Sequence, residues 1–569
     1  LSAVAPVDLA HMSLDEALQA QPARSEEIVR SVKAEVTQLV CNDMFAGIEP
    51  LELKDPALWA RLMRGKFDVQ FQKNAEGTHK KVKTRGVANP NSLPLAEKLR
   101  RKERDGKPSS PTASADSLWI HLALIAVQRR IAASFDVNMA FMHCLLKEGD
   151  HYYYLISPAI ATIALAVRPS LGGGLRPDGS LIVQLKGTIY GLPESGLYFY
   201  NLFDTSLVAG GYLRSDADPC VYATASGSRV ELDVSKDALG NLHVDDCLAS
   251  FRTPEEHDKF REFMARTFKL GYTEQSIDQE GGISHLGLHI RRSPDSGDIS
   301  AGQPGYETRL ISTRLDADLP GSDCPHGKNL FRIDPDSPLL NTSEQSLFHT
   351  TVHELAFLAR TRLALAPAVS FLRQRVLTPT REDRAKLTKA LRYLSAHPHQ
   401  CRIIRCATTL KLGIHADGGH ASHADYRGHT GVAIFLGLNL VALICRKQSL
   451  QTHSSAETEL VAVAEGVRRG LLIRAIAIDM GAAVNSARPT PVYQDNQSAI
   501  TIANRGHGTN RHIGKRFQSV KDDMDAGLIR LLYRPSVLLC ADVLTKPLTG
   551  EPFHRHIATL MAVGVPPSA

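Results

Sequence analysis

The sequence predicts a multidomain chain of mixed α+β and α/β architecture, and three observations lead there. At about 100–200 residues per domain, a chain of 569 residues makes three or four structural units. Strand-like alternation and helical periodicity succeed one another along the chain, and the last third starts afresh with strand, helix, strand and helix. Acidic residues also stand where apolar strand patterns end, as at Asp136, Asp245, Asp246, Asp417 and Asp495.

Hydrophobic residues make up 43% and charged residues 22%, which is ordinary for a globular protein and allows full-sized cores. The net charge of +6 suits a polyanionic partner without establishing one. No run of about 18 apolar residues suggests a membrane span, and no charged-then-apolar leader opens the chain. The nine cysteines are irregularly spaced, with no C-x-x-C pair, so they read as free intracellular thiols. The first residue is Leu1, which reads as a chain cut from something longer.

Residues 1–60 read as one or two helices leading into a short strand-rich segment. KFDVQFQKNAEGTHKKVKTRGVAN alternates apolar and polar residues about a turn at Ala75–Thr78, a hairpin pattern. The proline-rich stretch 91–114 reads as a connection. Its cluster of Lys98, Arg100, Arg101, Lys102, Arg104 and Lys107 is either a solvated loop or a nucleic-acid contact. A helix over 117–131 runs into the strand-like ASFDVNMAFMHCLL. A strand at 181–185, a helix over 194–210 and an amphipathic helix over 254–269 follow. Gly, Pro, Asp and Ser dominate 292–345, which therefore reads as loops with short strands. Helices are expected over 346–376 and 380–396, with a domain boundary near 405.

Asp136 follows an apolar stretch, and Asp245 and Asp246 stand together at an apparent hairpin tip. Two adjacent carboxylates repel unless a cation separates them. A third carboxylate from a neighbouring strand would complete an oxygen-only site for magnesium. Two such ions about 3.5–4 Å apart can serve the attacking and leaving oxygens of a nucleotidyl transfer. By spacing alone, an Asp-Asp pair is more often simply a turn.

The motifs around these acids narrow the reading. FDVNMAFMHCLLKE resembles the first palm motif of copia-type LTR retrotransposon reverse transcriptases, and LHVDDCLAS resembles the second. LKGTIYGLPESGLYFYNLF, SDADPCVYA, KNAEGTHKKVKTRGVAN, SSPTAS and HLGLHI resemble further segments of the same family, in the family's order. The resemblance implies a right-hand polymerase of fingers, palm and thumb, and it makes Asp136, Asp245 and Asp246 the metal-binding carboxylates. Phe141, five residues past Asp136, would exclude a ribose 2′-hydroxyl; core packing is the alternative. Lys83 and Arg85 would face the incoming triphosphate; an exposed hairpin face is the alternative. Tyr190, Gly191 and Ser195 would form the floor near the templating base. The chain departs from the family at His243, at Gly196-Leu197 and at Gly86, where an apolar residue is typical.

The last third carries Asp417, Glu459, Asp495 and Asp542. Asp417 ends a strand, Glu459 lies on a helix, Asp495 stands at a strand–helix junction and Asp542 near the start of a short helix. Ser454 and Glu457 have capping-box spacing, which gives Glu457 a structural task and leaves Glu459 on another face. HADGGHASHADYRGHTGVAIFLG, KQSLQTHSSAETELVAVAEG, VYQDNQSAI and ADVLTKPL resemble the successive motifs of the copia-type ribonuclease H. That resemblance implies two-metal cleavage of the RNA strand of a hybrid by these four acids. It also marks Asn510, Arg511 and His512 as substrate contacts.

The expected organisation is fingers and palm over 1–300, thumb and connection over 301–405, a ribonuclease H-like domain over 406–550 and a tail over 551–569. The resemblance implies an RNA-directed DNA polymerase with ribonuclease H activity. It would use two Mg2+ per site, with Mn2+ as a substitute. Its partners would be RNA template, DNA primer, RNA–DNA hybrid, deoxynucleoside triphosphates and other polyprotein products, with no membrane. The expected setting is cytoplasmic, in a virus-like particle, with the nucleus as the alternative. A decayed or domesticated copy that only binds nucleic acid is the rival function. An integrase or transposase would call for three acids at other spacing and a His/Cys module, and neither is present.

Overall fold

The computed structural model describes residues 12–73, 79–94, 110–147, 152–224, 238–243, 246–316, 318–398, 400–482, 484, 488–506 and 511–562. The expected turn at Ala75–Thr78, the basic cluster of 98–107, Asp245, Asn510 and the side chains of Arg511 and His512 lie outside the described residues. The architecture is the expected α+β and α/β combination; the described residues form four sheets, with helices between and over them. No helix among the described residues is long and apolar enough to cross a membrane.

The alternating pattern of 66–90 forms the antiparallel strands Leu62–Lys73 and His79–Asn89, with Asp68 opposite Arg85 and Gln70 opposite Lys83. They end a five-stranded sheet in which His79–Asn89 is the edge. An edge strand exposes unpaired backbone groups, and the helix Ser25–Cys41 covers this one. Its Glu27, Ser31 and Glu35 recur every four residues and so share one face. Glu27 accepts from Val82 N–H at 3.0 Å, Ser31 donates to the Val82 carbonyl at 3.3 Å and Glu35 accepts from Gly86 N–H at 2.8 Å. The departure at Gly86 has its reason here: a Cβ would stand 2.7 Å from Leu39 Cδ1 and 3.4 Å from the Phe67 ring.

In a six-stranded sheet, Ile131–Val137 lies between Asp246–Phe251 and Tyr272–Ser276. Phe135, Phe199, Phe203, Phe251, Phe260 and Phe268 fill the space beneath it. The strand expected from 133 to 146 stops at Val137; Met139 turns left-handed with φ +51° and a 3-10 turn follows over Ala140–His143. The helix Ala115–Val127 is apolar almost all round because it is covered on more than one side. It shares a core with the sheet and with the helix Ser455–Asp479 of the last third. Asp116 pairs with Arg469 at 2.5 Å, and the Arg402 guanidinium lies 3.6 Å from the Trp119 ring centroid.

The expectation of loops over 292–345 needs correction, because a helix spans Pro304–Arg314. Pro304 occupies the first helical turn, where its missing N–H is harmless. Buried Glu307 is held 3.4 Å from buried Arg362, a tertiary pair that local composition does not reveal. The helix expected over 346–376 is divided into Thr342–Leu358 and Ala366–Leu372, while Arg381–Ala396 forms as expected. Near the expected boundary, Arg402–Ile404 is the fourth strand of the sheet that contains Leu288–Arg292 and Ile299–Gly302.

The last sheet has the order Asn439–Lys447, His429–Leu436, Leu412–Gly419, Thr490–Gln494, Ile529–Tyr533. The first three strands are antiparallel, and the last two join in parallel. The helix Ser455–Asp479 packs on the face of this sheet. The expected tail begins as a helix, Glu551–Leu560, with Phe553 and Leu560 buried.

Candidate active sites

Asp246 stands directly opposite Asp136 in the antiparallel register. Like charges in that position destabilise a sheet, so the pair suits a cation that both carboxylates can share. Asp245 lies outside the described residues, between a strand that ends at His243 and one that begins at Asp246. Asp136 is exposed and Asp246 half-buried, so this acidic edge is open to a substrate.

The hairpin, the turn that follows Asp136 in the chain and the turn at Tyr190 converge. The Arg85 guanidinium lies over the Tyr190 ring at 4.9 Å, and Tyr190 meets the Phe141 ring edge-on at 5.0 Å. The Arg85 Nε is buried and, among the described residues, has no hydrogen-bond partner, an orientation that an anionic ligand would satisfy. Lys83 lies two residues before Arg85 on the same strand and therefore on the same face. Gly191 has φ +87°, and a Cβ there would fall 2.1 Å from the Ala88 carbonyl oxygen, so only glycine fits. The Ala88 N–H donates to the Tyr190 carbonyl at 2.8 Å, which ties this floor to the hairpin. Ser195 is buried, and its hydroxyl donates to the Ile189 carbonyl at 2.7 Å. Its place is therefore inside the turn that shapes the floor. Phe141 also packs towards Phe199 at 6.5 Å, the contact that its alternative packing role calls for.

The second site lies on the last sheet. One carboxylate oxygen from each of Asp417, Glu459 and Asp495 lies within 4.8 Å of the other two. Asp417 comes from the central strand, Glu459 from the second turn of the long helix and Asp495 from the residue after its strand. Asp542, which opens the short helix Asp542–Thr545, joins them through Lys546. The Lys546 Nζ lies 2.7 Å from Asp542 and 3.4 Å from Asp417. Gly418 N–H donates to Glu459 at 2.6 Å, Gln494 Nε2 to Glu459 at 3.1 Å, Ser536 Oγ to Asp495 at 2.6 Å, and Thr545 Oγ1 to Asp417.

Burial drives the Asp417 and Glu459 carboxyls far above the usual carboxylate range. For Glu459 the adjacent Asp417 and Asp495 charges push the same way, while for Asp417 the Lys546 ammonium opposes the rise. Burial works against the charge on Lys546, yet Asp417 and Asp542 hold it well above the ordinary lysine range. Acids that neutralise unless a cation is present fit a divalent ion, and an all-oxygen donor set fits a hard one.

The Ser454–Glu457 spacing is half of a capping box. Ser454 accepts from Glu457 N–H at 3.3 Å, but Glu457 accepts from His453 N–H at 2.7 Å, one residue before the cap. The structural task of Glu457 and the separate face of Glu459 both remain. Lys546, Thr545 and Gln494 are residues that sequence reasoning did not single out. Lys546 follows the short helix directly, in extended backbone, and its link to Asp417 is visible only once the segments meet. Gln494 gave no local signal either: its Nε2 reaches the Ala416 carbonyl as well as Glu459, and its Oε1 accepts from Asp495 and Asn496 N–H.

No family model matches the chain. It is 24% identical over 471 residues to the retrovirus-related Pol polyprotein from transposon RE2 of Arabidopsis thaliana, covering 81% of this chain and 29% of that protein. It is 22% identical over 455 residues to the Pol polyprotein from transposon TNT 1-94 of Nicotiana tabacum, covering 78% and 32%. Among solved structures, it resembles a foamy viral protease-reverse transcriptase in complex with dsDNA, with a TM-score of 0.43 and 10% identity, covering 89% of this chain and 82% of that one. The chain spans about a third or less of the curated relatives it matches. It is a relative of the retrovirus-related Pol polyproteins of copia-type transposons.

Proposed function

We propose that the chain is an RNA-directed DNA polymerase with a ribonuclease H activity, and that the two reactions use separate acidic sites. The observation that carries this reading is the convergence of two independent carboxylate sets. Asp136 and Asp246 face each other on one sheet, and Asp417, Glu459 and Asp495 meet on another.

At the first site Asp136, Asp245 and Asp246 would hold Mg2+, or Mn2+ in its place. At the second, Asp417, Glu459, Asp495 and Asp542 would do so. Bound in pairs by these carboxylates, such ions would supply activation of an attacking oxygen and charge stabilisation of a leaving one. Arg85 and Lys83 bind and orient the triphosphate of a deoxynucleotide. Tyr190 and Gly191 support the templating base, and Phe141 narrows the space beside the sugar. Ser195 fixes the turn beneath them. In the nuclease site Gly418 N–H and Gln494 orient Glu459, and Ser536 orients Asp495. The partners are an RNA template with a DNA primer, and then the RNA–DNA hybrid.

Extension of a DNA primer on an RNA template in Mg2+, followed by shortening of the RNA, tests the reading. Synthesis that disappears with chelator is the expected result. Tight, salt-sensitive binding of primer–template with no extension in either Mg2+ or Mn2+ would leave a nucleic-acid-binding protein instead.

A further inference from the structure

Sequence spacing offers no zinc motif, yet the fold assembles a mixed ligand set from segments 231 residues apart. One ligand atom from each of Asp323, Cys324 and His554 lies within 4.8 Å of the other two. We propose that these three residues bind one zinc ion, with water in the fourth position, and that the ion fastens the C-terminal helix to the segment before the long helices. This inference does not depend on either catalytic reading.

The donor chemistry selects the metal. One sulfur, one imidazole nitrogen and one carboxylate oxygen suit zinc and not magnesium. With bonds of about 2.0–2.3 Å, tetrahedral ligand atoms stand roughly 3.2–3.8 Å apart. His554 Nε2 now lies 2.8 Å from Asp323 Oδ2, so small rotations open the set around an ion. As the sulfur–zinc bond forms, the thiol proton leaves to solvent.

Both halves of the site are held in place. In the loop, Ser322 N–H donates to the Arg392 carbonyl at 3.2 Å and Ser322 Oγ to the Cys324 carbonyl at 2.7 Å. The Arg392 Nε donates back to the Pro320 carbonyl at 2.5 Å. His554 lies in the first turn of Glu551–Leu560, where its N–H donates to the Gly550 carbonyl at 3.1 Å. Burial pushes the Cys324 thiol above its ordinary range and the Asp323 charge adds to the rise, while the Gly550 N–H and the Lys389 charge pull it down.

A second observation marks the same place. His326, two residues beyond Cys324, is 2% exposed, and among the described residues neither ring nitrogen has a partner of full hydrogen-bond geometry, the adjacent Gly327 backbone being a polar neighbour. Its ring packs edge-on against Phe553, the neighbour of His554, at 5.8 Å. Buried imidazole nitrogens are ordinarily bonded, and a hydrated ion alongside supplies the missing polar partner.

Cobalt titration of the chelator-stripped full chain tests the proposal, because a thiolate–cobalt bond gives a near-ultraviolet charge-transfer band. One equivalent should produce the band and zinc should abolish it. Cys324→Ser and His554→Gln should each lose the band, whereas Glu459→Gln should keep it. Zinc should raise the melting temperature of the wild type and of neither ligand variant. If Cys324→Ser does not fold, His554→Gln on the half-exposed helix face decides. Absence of the band in the wild type, or its persistence in both ligand variants, overturns the proposal.

Discussion

Replacing Glu459 with glutamine should make the metal-free protein more stable while ending RNA cleavage. Glu459 is 6% exposed, and burial together with Asp417 and Asp495 raises its carboxyl far above the ordinary range. A carboxyl that is ionised in the unfolded chain at pH 7 but kept neutral in the fold carries a penalty of 1.36 kcal/mol per pH unit above its ordinary value of about 4.3. That sets an upper limit of about 3–4 kcal/mol at pH 7. Shared protonation with Asp417 reduces the expected gain to about 1–3 kcal/mol. Glutamine retains an acceptor for Gly418 N–H, so little is lost in exchange. The sign with pH follows from the raised value. The folded state binds the extra proton, so this contribution is complete below the unfolded carboxyl's range and is lost as pH rises through the folded one. Metal-free wild-type melting temperature should therefore fall from mildly acidic to alkaline pH, and the slope should flatten in Glu459→Gln. Thermal melts in chelator across that range provide the assay. An unchanged or lower melting temperature in the variant at pH 7.5 would refute the reasoning.

Lys546→Met should lower metal-free stability by about 1–3 kcal/mol, a range that allows for the 42% exposure of the lysine side chain. Magnesium should restore more of that loss than it adds to the wild type, as read from melts with and without the ion. Gly86→Val, which installs the kind of residue typical of the family, should cost about 1–3 kcal/mol by forcing Leu39 and Phe67 apart, as seen in denaturant titration. Arg85→Lys removes a planar group from the Tyr190 ring. It should raise the KM for deoxynucleotides by about 3–30-fold with a smaller change in kcat, from about 0.6–2 kcal/mol of lost stacking; an unchanged KM would detach Arg85 from the nucleotide.

Much of this architecture is visible in local patterns. Alternation alone places the long hairpin, since its apolar residues must face one side, whereas the register that sets Asp68 opposite Arg85, with its shift at Gln72–Lys73, comes from the structure. The apolar run before Asp136 marks a buried strand for the same reason. The failures lie where distant residues decide the matter. The helix Pro304–Arg314 sits amid loop-forming composition and is supported by Arg362. The break between Leu358 and Ala366 follows no Gly, and Pro367 lies beyond it. The all-round apolar helix Ala115–Val127 reveals burial but not its neighbour, the helix Ser455–Asp479. At the candidate sites the acids stand out as motifs, whereas Gln494 and Lys546 acquire meaning only once three segments meet. The stacking of Arg85 on Tyr190 joins residues 105 positions apart by their numbers, beyond any local pattern.

The central claim is that two separate acidic sites run two separate reactions, and paired variants test it most directly. Asp246→Asn and Glu459→Gln should be compared on one labelled RNA template annealed to a DNA primer, in Mg2+. The account predicts that Asp246→Asn loses DNA synthesis and still cleaves the RNA of a preformed hybrid, while Glu459→Gln extends the primer and leaves the RNA intact. Loss of both reactions in either variant, with melting showing it folded, would contradict the two-site account.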